Sequence, residues 1–136
     1  CLLVQPTSDI VATDFDGDGK LEILTFSKFH GDTLAIWHEG QTRDRYEQVW
    51  CDPQKRSFLH ALWAADLNGE KCAVIGNRKD GRDLLLVRYV DGEYTVDVID
   101  HDLGPANCMV YRHDGSDYIV AAYRETDQLA LYKVVE

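Results

Sequence analysis

Short apolar runs separated by polar turns make up almost the whole chain. The runs are rich in Val, Ile, Leu, Thr and aromatic residues, and Gly, Asp, Asn or Pro bounds them, which is typical of β-strands joined by tight turns. No run shows the period of an amphipathic helix. The pattern therefore predicts an all-β fold, with strands over residues 1–5, 8–15, 21–27, 33–38, 45–50, 61–66, 72–76, 84–89, 94–99, 107–111, 118–123 and 129–135.

The most distinctive stretch is the turn between the second and third of these strands. Asp14, Asp16 and Asp18 occupy alternate positions there, and a further carboxylate, Glu22, follows. Such a loop offers only oxygen ligands, which suits Ca²⁺. We expect side-chain oxygens from the three aspartates, the backbone carbonyl of Lys20, and Glu22 directly or through water. A solvated acidic turn is the alternative, but the spacing of the carboxylates is more specific than acidity alone.

An EF-hand begins with the same D-x-D-x-D-G spacing, but the rest of the chain does not fit one. That loop needs a bidentate Glu at its twelfth position, and the twelfth residue counted from Asp14 is Thr25. It also needs a helix on each side, whereas residues 9–13 and 21–26 are rich in β-branched and apolar residues. The sequence therefore predicts a cation loop between two strands.

The window from Ile10 to Leu24 resembles an FG-GAP/VCBS-type repeat, as found in integrin α-subunit propellers and many bacterial secreted proteins. The resemblance implies that each repeat is one four-stranded propeller blade and that the calcium loop joins its first two strands. It also implies an extracellular or periplasmic location. One residue departs from the family pattern, because its ninth loop position is usually Asp and is Glu22 here.

The order of strands and turns recurs along the chain. Asp14, Asp66 and Asp114 hold matching positions that lie 52 and 48 residues apart, and periods of about 40–50 residues are typical of propeller blades. The sequence thus predicts a single β-propeller segment with blades over residues 8–52, 57–100 and 105–136, the last with three strands. Only the first copy keeps the full set of carboxylates, so we expect one calcium ion.

Three blades are fewer than the four to eight that close a propeller. In the family that the chain resembles, an N-terminal strand often completes a last blade of three C-terminal strands, and the strand at Cys1–Gln5 has the character for that role. This suggests that two chains associate into a six-bladed ring. The alternative is that the chain is a piece of a longer propeller, whose other blades lie on the same or another chain. In either case further strands would cover the open edges.

Charge and hydropathy restrict the partners. The formal net charge is −10, which argues against nucleic acid as a partner because phosphate binding needs basic patches. The sequence has no apolar run of membrane-spanning length and no signal-peptide pattern. The four cysteines, Cys1, Cys51, Cys72 and Cys108, allow three disulfide pairings, and we expect Cys72 and Cys108 to be buried free thiols on strands.

The resemblance implies that ligands bind on the face opposite the calcium loop or in the central channel. His60 is the candidate for a binding or catalytic role there, because it begins a first strand, while His38 and His113 are expected on the calcium side. Three tryptophans, Trp37, Trp50 and Trp63, are expected in the core. The basic and titratable residues expected on the opposite face are Lys28, His30, Lys55, Arg56, His60, Arg78, Lys79, Arg82, His101 and Arg124.

Two functions follow as hypotheses. The first is a non-catalytic, calcium-stabilised binding or scaffold module for a carbohydrate or a protein partner. The second is part of a propeller enzyme that acts on saccharides, of the polysaccharide lyase or sugar dehydratase type, with chemistry near His60. No hydrolase, nucleotide-binding or zinc-protease motif is present in the sequence, which favours the first.

Overall fold

A computed structural model describes residues 6–28, 30–42 and 44–135. The described chain is all-β, as the pattern predicts, and the predicted strand at residues 1–5 lies outside it. A single 3₁₀ turn, Arg124–Thr126, precedes the last strand. The strands are β1 (Asp9–Thr13), β2 (Glu22–Ser27), β3 (Thr33–Glu39), β4 (Tyr46–Cys51), β5 (Leu59–Leu67), β6 (Glu70–Asn77), β7 (Leu84–Val90), β8 (Glu93–Asp100), β9 (Pro105–His113), β10 (Ser116–Tyr123) and β11 (Gln128–Lys133).

These strands form three antiparallel sheets, each built from consecutive hairpins. Sheet 1 has the order β1-β2-β3-β4, sheet 2 the order β5-β6-β7-β8, and sheet 3 the order β9-β10-β11. The described residues form three separate sheets that do not close into a ring. Whether they belong to a propeller therefore stays a prediction.

Sheet 2 lies between the other two sheets. Its first strand, β5, contacts β1 on one side and β9 on the other. One apolar cluster fills the space between sheets 1 and 2, and a second fills the space between sheets 2 and 3. Strand β6 is consequently covered on both faces, and residues 72–77 are all buried, which explains why this strand is a continuous apolar run and does not alternate.

The cysteines and tryptophans test the predicted core. Cys72 and Cys108 are buried free thiols, as expected, and burial raises the pKa of each thiol to about 12. Trp37 and Trp50 are half-buried, and the prediction is wrong for Trp63, which is 40% exposed. This residue lies on β5, the edge strand of sheet 2, so its ring extends past the rim of the sheet 2–sheet 3 interface, beside Cys108 and Met109.

Within the described ranges, no helix is long and apolar enough to cross a membrane.

Candidate metal centre

The turn between β1 and β2 is held by its own carboxylates. Asp16 Oδ1 accepts a hydrogen bond from the backbone N–H of Asp18 at 3.1 Å, and Asp18 Oδ1 accepts one from Lys20 at 2.8 Å. Asp14 Oδ2 accepts a third from the backbone N–H of Gly19 at 3.1 Å. Gly19 has a φ of +88°, which favours glycine at this position. Asp16 and Asp18, each followed by a glycine, therefore fold the turn locally, since Asp side chains bond to the backbone two residues on.

Four side chains converge at this turn. Asp16, Asp18, Glu22 and His38 each present one ligand atom, and these atoms all lie within 4.8 Å of one another. The first two belong to the turn, Glu22 begins β2, and His38 is on β3. The pairing of Ile23 with Trp37 brings the last two together across the sheet. This cluster could hold a metal ion.

Glu22 is the buried member of the cluster. Its side chain is fully buried, and its Oε2 accepts a hydrogen bond from the backbone N–H of Phe15 at 2.7 Å. Its Oε1 has no hydrogen-bond partner. Burial raises the pKa of Glu22, because a desolvated carboxylate is costly to ionise. A bound cation would offset the cost of burying this carboxylate oxygen without a hydrogen-bond partner and beside other carboxylates.

Asp14, like Glu22, has a buried carboxylate oxygen, Oδ1, without a hydrogen-bond partner. Asp14 is not, however, one of the four converging residues. Of the sequence-predicted ligands, the structure thus brings together Asp16, Asp18 and Glu22. Ligation by Asp14 and by the backbone carbonyl of Lys20 stays a prediction.

His38 is the member that the loop motif did not identify as a ligand. Its Nδ1–H donates to the backbone carbonyl of Glu39 at 2.9 Å, and its Nε2 lies 3.3 Å from Asp18 Oδ2 and 3.7 Å from Glu22 Oε1. The bond to Glu39, followed by the charge of Asp18, raises the pKa of His38. Because Nδ1 is the donor, Nε2 faces the carboxylates either as a proton donor or as a lone pair for a cation.

The opposite end of the sheets carries the basic residues that the sequence placed there. Lys28, Lys55 and Lys79 line a cavity of about 850 Å³. Cations at this end also have acidic partners: Lys55 Nζ lies 3.4 Å from Asp32 Oδ1, and the buried Arg56 bonds Asp52 at 2.9 Å. The aspartates of these loops therefore offset part of the basic charge.

His60, the candidate for binding or catalysis, lies in an aromatic stack at this end. Its ring lies 6.0 Å from that of Phe58 and 5.3 Å from that of His30. Its Nδ1–H donates to the backbone carbonyl of Ala106 on β9 at 2.8 Å. This bond ties the first strand of sheet 2 to the first strand of sheet 3, which gives His60 a structural role.

Comparison of the chain with models of known protein families gives no match, and comparison with curated protein sequences gives none. The resemblance of residues 10–24 to FG-GAP/VCBS-type repeats therefore rests on the motif itself.

Proposed function

We propose that this chain is a calcium-stabilised, non-catalytic binding module built from β-propeller blades. The observation that carries the proposal is Glu22 Oε1, a fully buried carboxylate oxygen without a hydrogen-bond partner. It faces two further carboxylates and an imidazole nitrogen within 4.8 Å. A divalent cation at this point would satisfy Glu22 and remove the repulsion among the three carboxylates.

Calcium is the ion that the ligand set favours. Three carboxylates, with Asp14 and the carbonyl of Lys20 beside them in sequence, form a hard, oxygen-rich set, and calcium accepts such sets in flexible geometry. An extracellular or periplasmic location, which we also propose, would suit a module of this kind, since extracellular calcium modules bind their ion with dissociation constants of about 10⁻⁴–10⁻³ M.

The ion would stabilise the protein through Phe15. This residue lies within the loop, between Asp14 and Asp16, yet it is only 6% exposed and belongs to the core between sheets 1 and 2. Its ring packs edge-on against Tyr94 of sheet 2, with the ring centroids 6.0 Å apart. Ordering the loop by a cation therefore also fixes a core contact between the two sheets.

Thermal melting in calcium and in chelator tests the proposal, with Asp16→Asn as the variant. Asn retains an Oδ1 that can accept the N–H of Asp18, so the turn survives while one anionic ligand is lost. Asp114→Asn is the matched control, because Asp114 lies in an exposed turn of sheet 3 with a φ of +46°. We expect the wild type and the control to melt higher in calcium, and Asp16→Asn to lose most of that rise. An equal rise in all three proteins would overturn the proposal.

We also propose that a second copy of the chain covers the open face of sheet 3 and so completes a ring. The register of β9, β10 and β11 places Met109, Leu129 and Leu131 on one face, where they are 42%, 73% and 56% exposed. Sheet 2 has both faces covered, and a sheet stacked on this face would bury these side chains in the same manner. The ligand of the assembled module would be a carbohydrate or a protein.

A further inference from the structure

A cleft of about 620 Å³ opens beside the candidate metal centre. Three members of the cluster, Asp16, Asp18 and His38, line one side of it. The fourth member, Glu22, is not part of the lining and is fully buried. A cation held by the four side chains would therefore have Glu22 on its buried side and the cleft on its open side.

The protein does not supply a full calcium coordination sphere from the four converging groups. Calcium takes six to eight ligands, so the four converging groups leave two to four positions open, and with Asp14 and the carbonyl of Lys20 up to two remain for an external oxygen donor. Asp18 is exposed and Asp16 is half-buried where they line the cleft, so open positions of the ion would face it. A ligand with two adjacent hydroxyl groups can fill them.

Aromatic rings form another side of the cleft. Trp50, Tyr89 and Tyr94 line it and are half-buried, so part of each ring faces the open space. The centroid of the Tyr94 ring lies 5.9 Å from that of Trp50 and 4.9 Å from that of Tyr89, which makes a continuous aromatic surface. The Tyr94 ring lines the same cleft as Asp16 and Asp18. Burial raises the pKa of Tyr94, and the charges of Glu22 and Asp16 add to that shift.

The charge of the cleft selects among ligands. Asp16, Asp18 and Glu93 all line it, and a single bound divalent cation does not offset three carboxylates together with Glu22. An anionic ligand is disfavoured there. A neutral saccharide suits the site, since its hydroxyl groups can bind the cation while the apolar face of its ring packs on an aromatic side chain.

We propose that the cleft binds a neutral saccharide, two adjacent hydroxyl groups of which complete the coordination of calcium while the sugar ring packs against the aromatic surface of Trp50, Tyr89 and Tyr94. This inference rests on the proposed calcium binding. It places the ligand beside the cation loop, whereas the family resemblance implied the opposite face.

The test is an array of neutral and acidic oligosaccharides, probed with the protein in calcium and in chelator. We expect binding to neutral members in calcium and loss of that binding in chelator. Binding to no member, selective binding to acidic members, or equal binding in chelator would each overturn the inference. Melting in calcium is measured in parallel: a rise without saccharide binding refutes the cleft alone, and no rise refutes the calcium proposal itself.

Variants then locate the site on the protein. Tyr89→Ala removes an aromatic side chain of the cleft that is not one of the four cluster residues, and Tyr111→Ala is the matched control on sheet 3, where Tyr111 is 36% exposed. By calorimetric titration with a neutral oligosaccharide identified on the array, we expect Tyr89→Ala to weaken binding at least about tenfold while the calcium-dependent rise in melting temperature stays. Unchanged affinity in this variant would contradict the proposed site.

Discussion

Replacing Glu22 with Gln should have opposite effects on stability with and without calcium. The substitution removes one charge and hardly changes shape, and the Gln amide oxygen can still accept the hydrogen bond that Phe15 N–H donates to Glu22 at 2.7 Å. Without an ion, the wild-type protein holds a carboxylate that is fully buried and has an unpartnered oxygen. With an ion, the same carboxylate is an anionic ligand. Without an ion, the variant therefore avoids the unfavourable burial of a carboxylate, and with an ion it lacks an anionic ligand.

The size of each effect follows from the geometry. Two charges about 5 Å apart at an effective dielectric constant of about 20 repel by about 3 kcal/mol, and His38 offsets part of this, so we expect a gain of about 1–2 kcal/mol in chelator. For a chain of 136 residues, with about 2.1 cal/mol/K of unfolding entropy per residue, each kcal/mol shifts the melting temperature by about 3.5 °C. The variant should then melt about 3–7 °C above the wild type in chelator.

Calcium reverses the order. An ion present at about 100 times its dissociation constant stabilises the folded state by about 2.7 kcal/mol, which raises the wild-type melting temperature by about 9 °C. The variant lacks one anionic ligand and gains much less stability from calcium, so it should melt a few degrees below the wild type in calcium.

The raised pKa of Glu22 allows a second test, the pH dependence of stability in chelator. Because the pKa of Glu22 is higher in the folded protein than in the unfolded chain, its ionised form destabilises the fold at neutral pH. This destabilisation disappears below the unfolded-state pKa of about 4.5, where Glu22 is protonated in both states. The stability advantage of Glu22→Gln in chelator should therefore vanish below that pH.

The assay is scanning calorimetry of the wild type and the variant, each in calcium and in chelator. Glu47→Gln serves as the matched control, since Glu47 is exposed on β4, and it should behave as the wild type in both conditions. The reasoning fails if Glu22→Gln is destabilised equally in calcium and in chelator. That result would make Glu22 a hydrogen-bonding residue of the loop and nothing more.

Two further predictions concern assembly and the buried ion pair. Light scattering of the wild type should give twice the mass of the chain. Leu131→Glu, on the open face of sheet 3, should give the mass of a monomer while the secondary structure stays unchanged. A monomeric wild type would contradict closure by a second copy. Arg56→Ala should destabilise the protein by about 3–5 kcal/mol, because it deprives the buried Asp52 carboxylate of the cationic partner that lies 2.9 Å away; thermal melting checks this. Arg124→Ala, an exposed arginine, is the control and should stay within about 0.5 kcal/mol of the wild type.

The local part of the candidate site could be predicted from the sequence. Asp16, Asp18 and Glu22 lie within a few residues of one another, and the side-chain to backbone bonds of the turn span two positions for Asp16 and Asp18 and seven for Glu22. Such contacts depend on neighbours along the chain, so the spacing of residue types contains them. The strand character of the flanking segments could be predicted for the same reason, and the all-β fold with it.

His38 could not be identified as a member of the cluster in this way. It is 20 residues from Asp18 along the chain, and only the register between β2 and β3 brings it to the loop. A shift of one residue in that register would turn His38 to the other face of the sheet. Register depends on how sheets 1 and 2 pack, and the sequence pattern alone does not contain it.

The sequence by itself determined the strands, their turns and the acidic loop between the first two strands, because these follow from neighbouring residues. The tertiary structure decided the rest: that Glu22 is fully buried, that the rings of Trp50, Tyr89 and Tyr94 form a cleft beside the loop, and that Trp63 is exposed at a rim. Burial and cleft formation depend on which sheet faces which, and residues far apart in the chain set that arrangement.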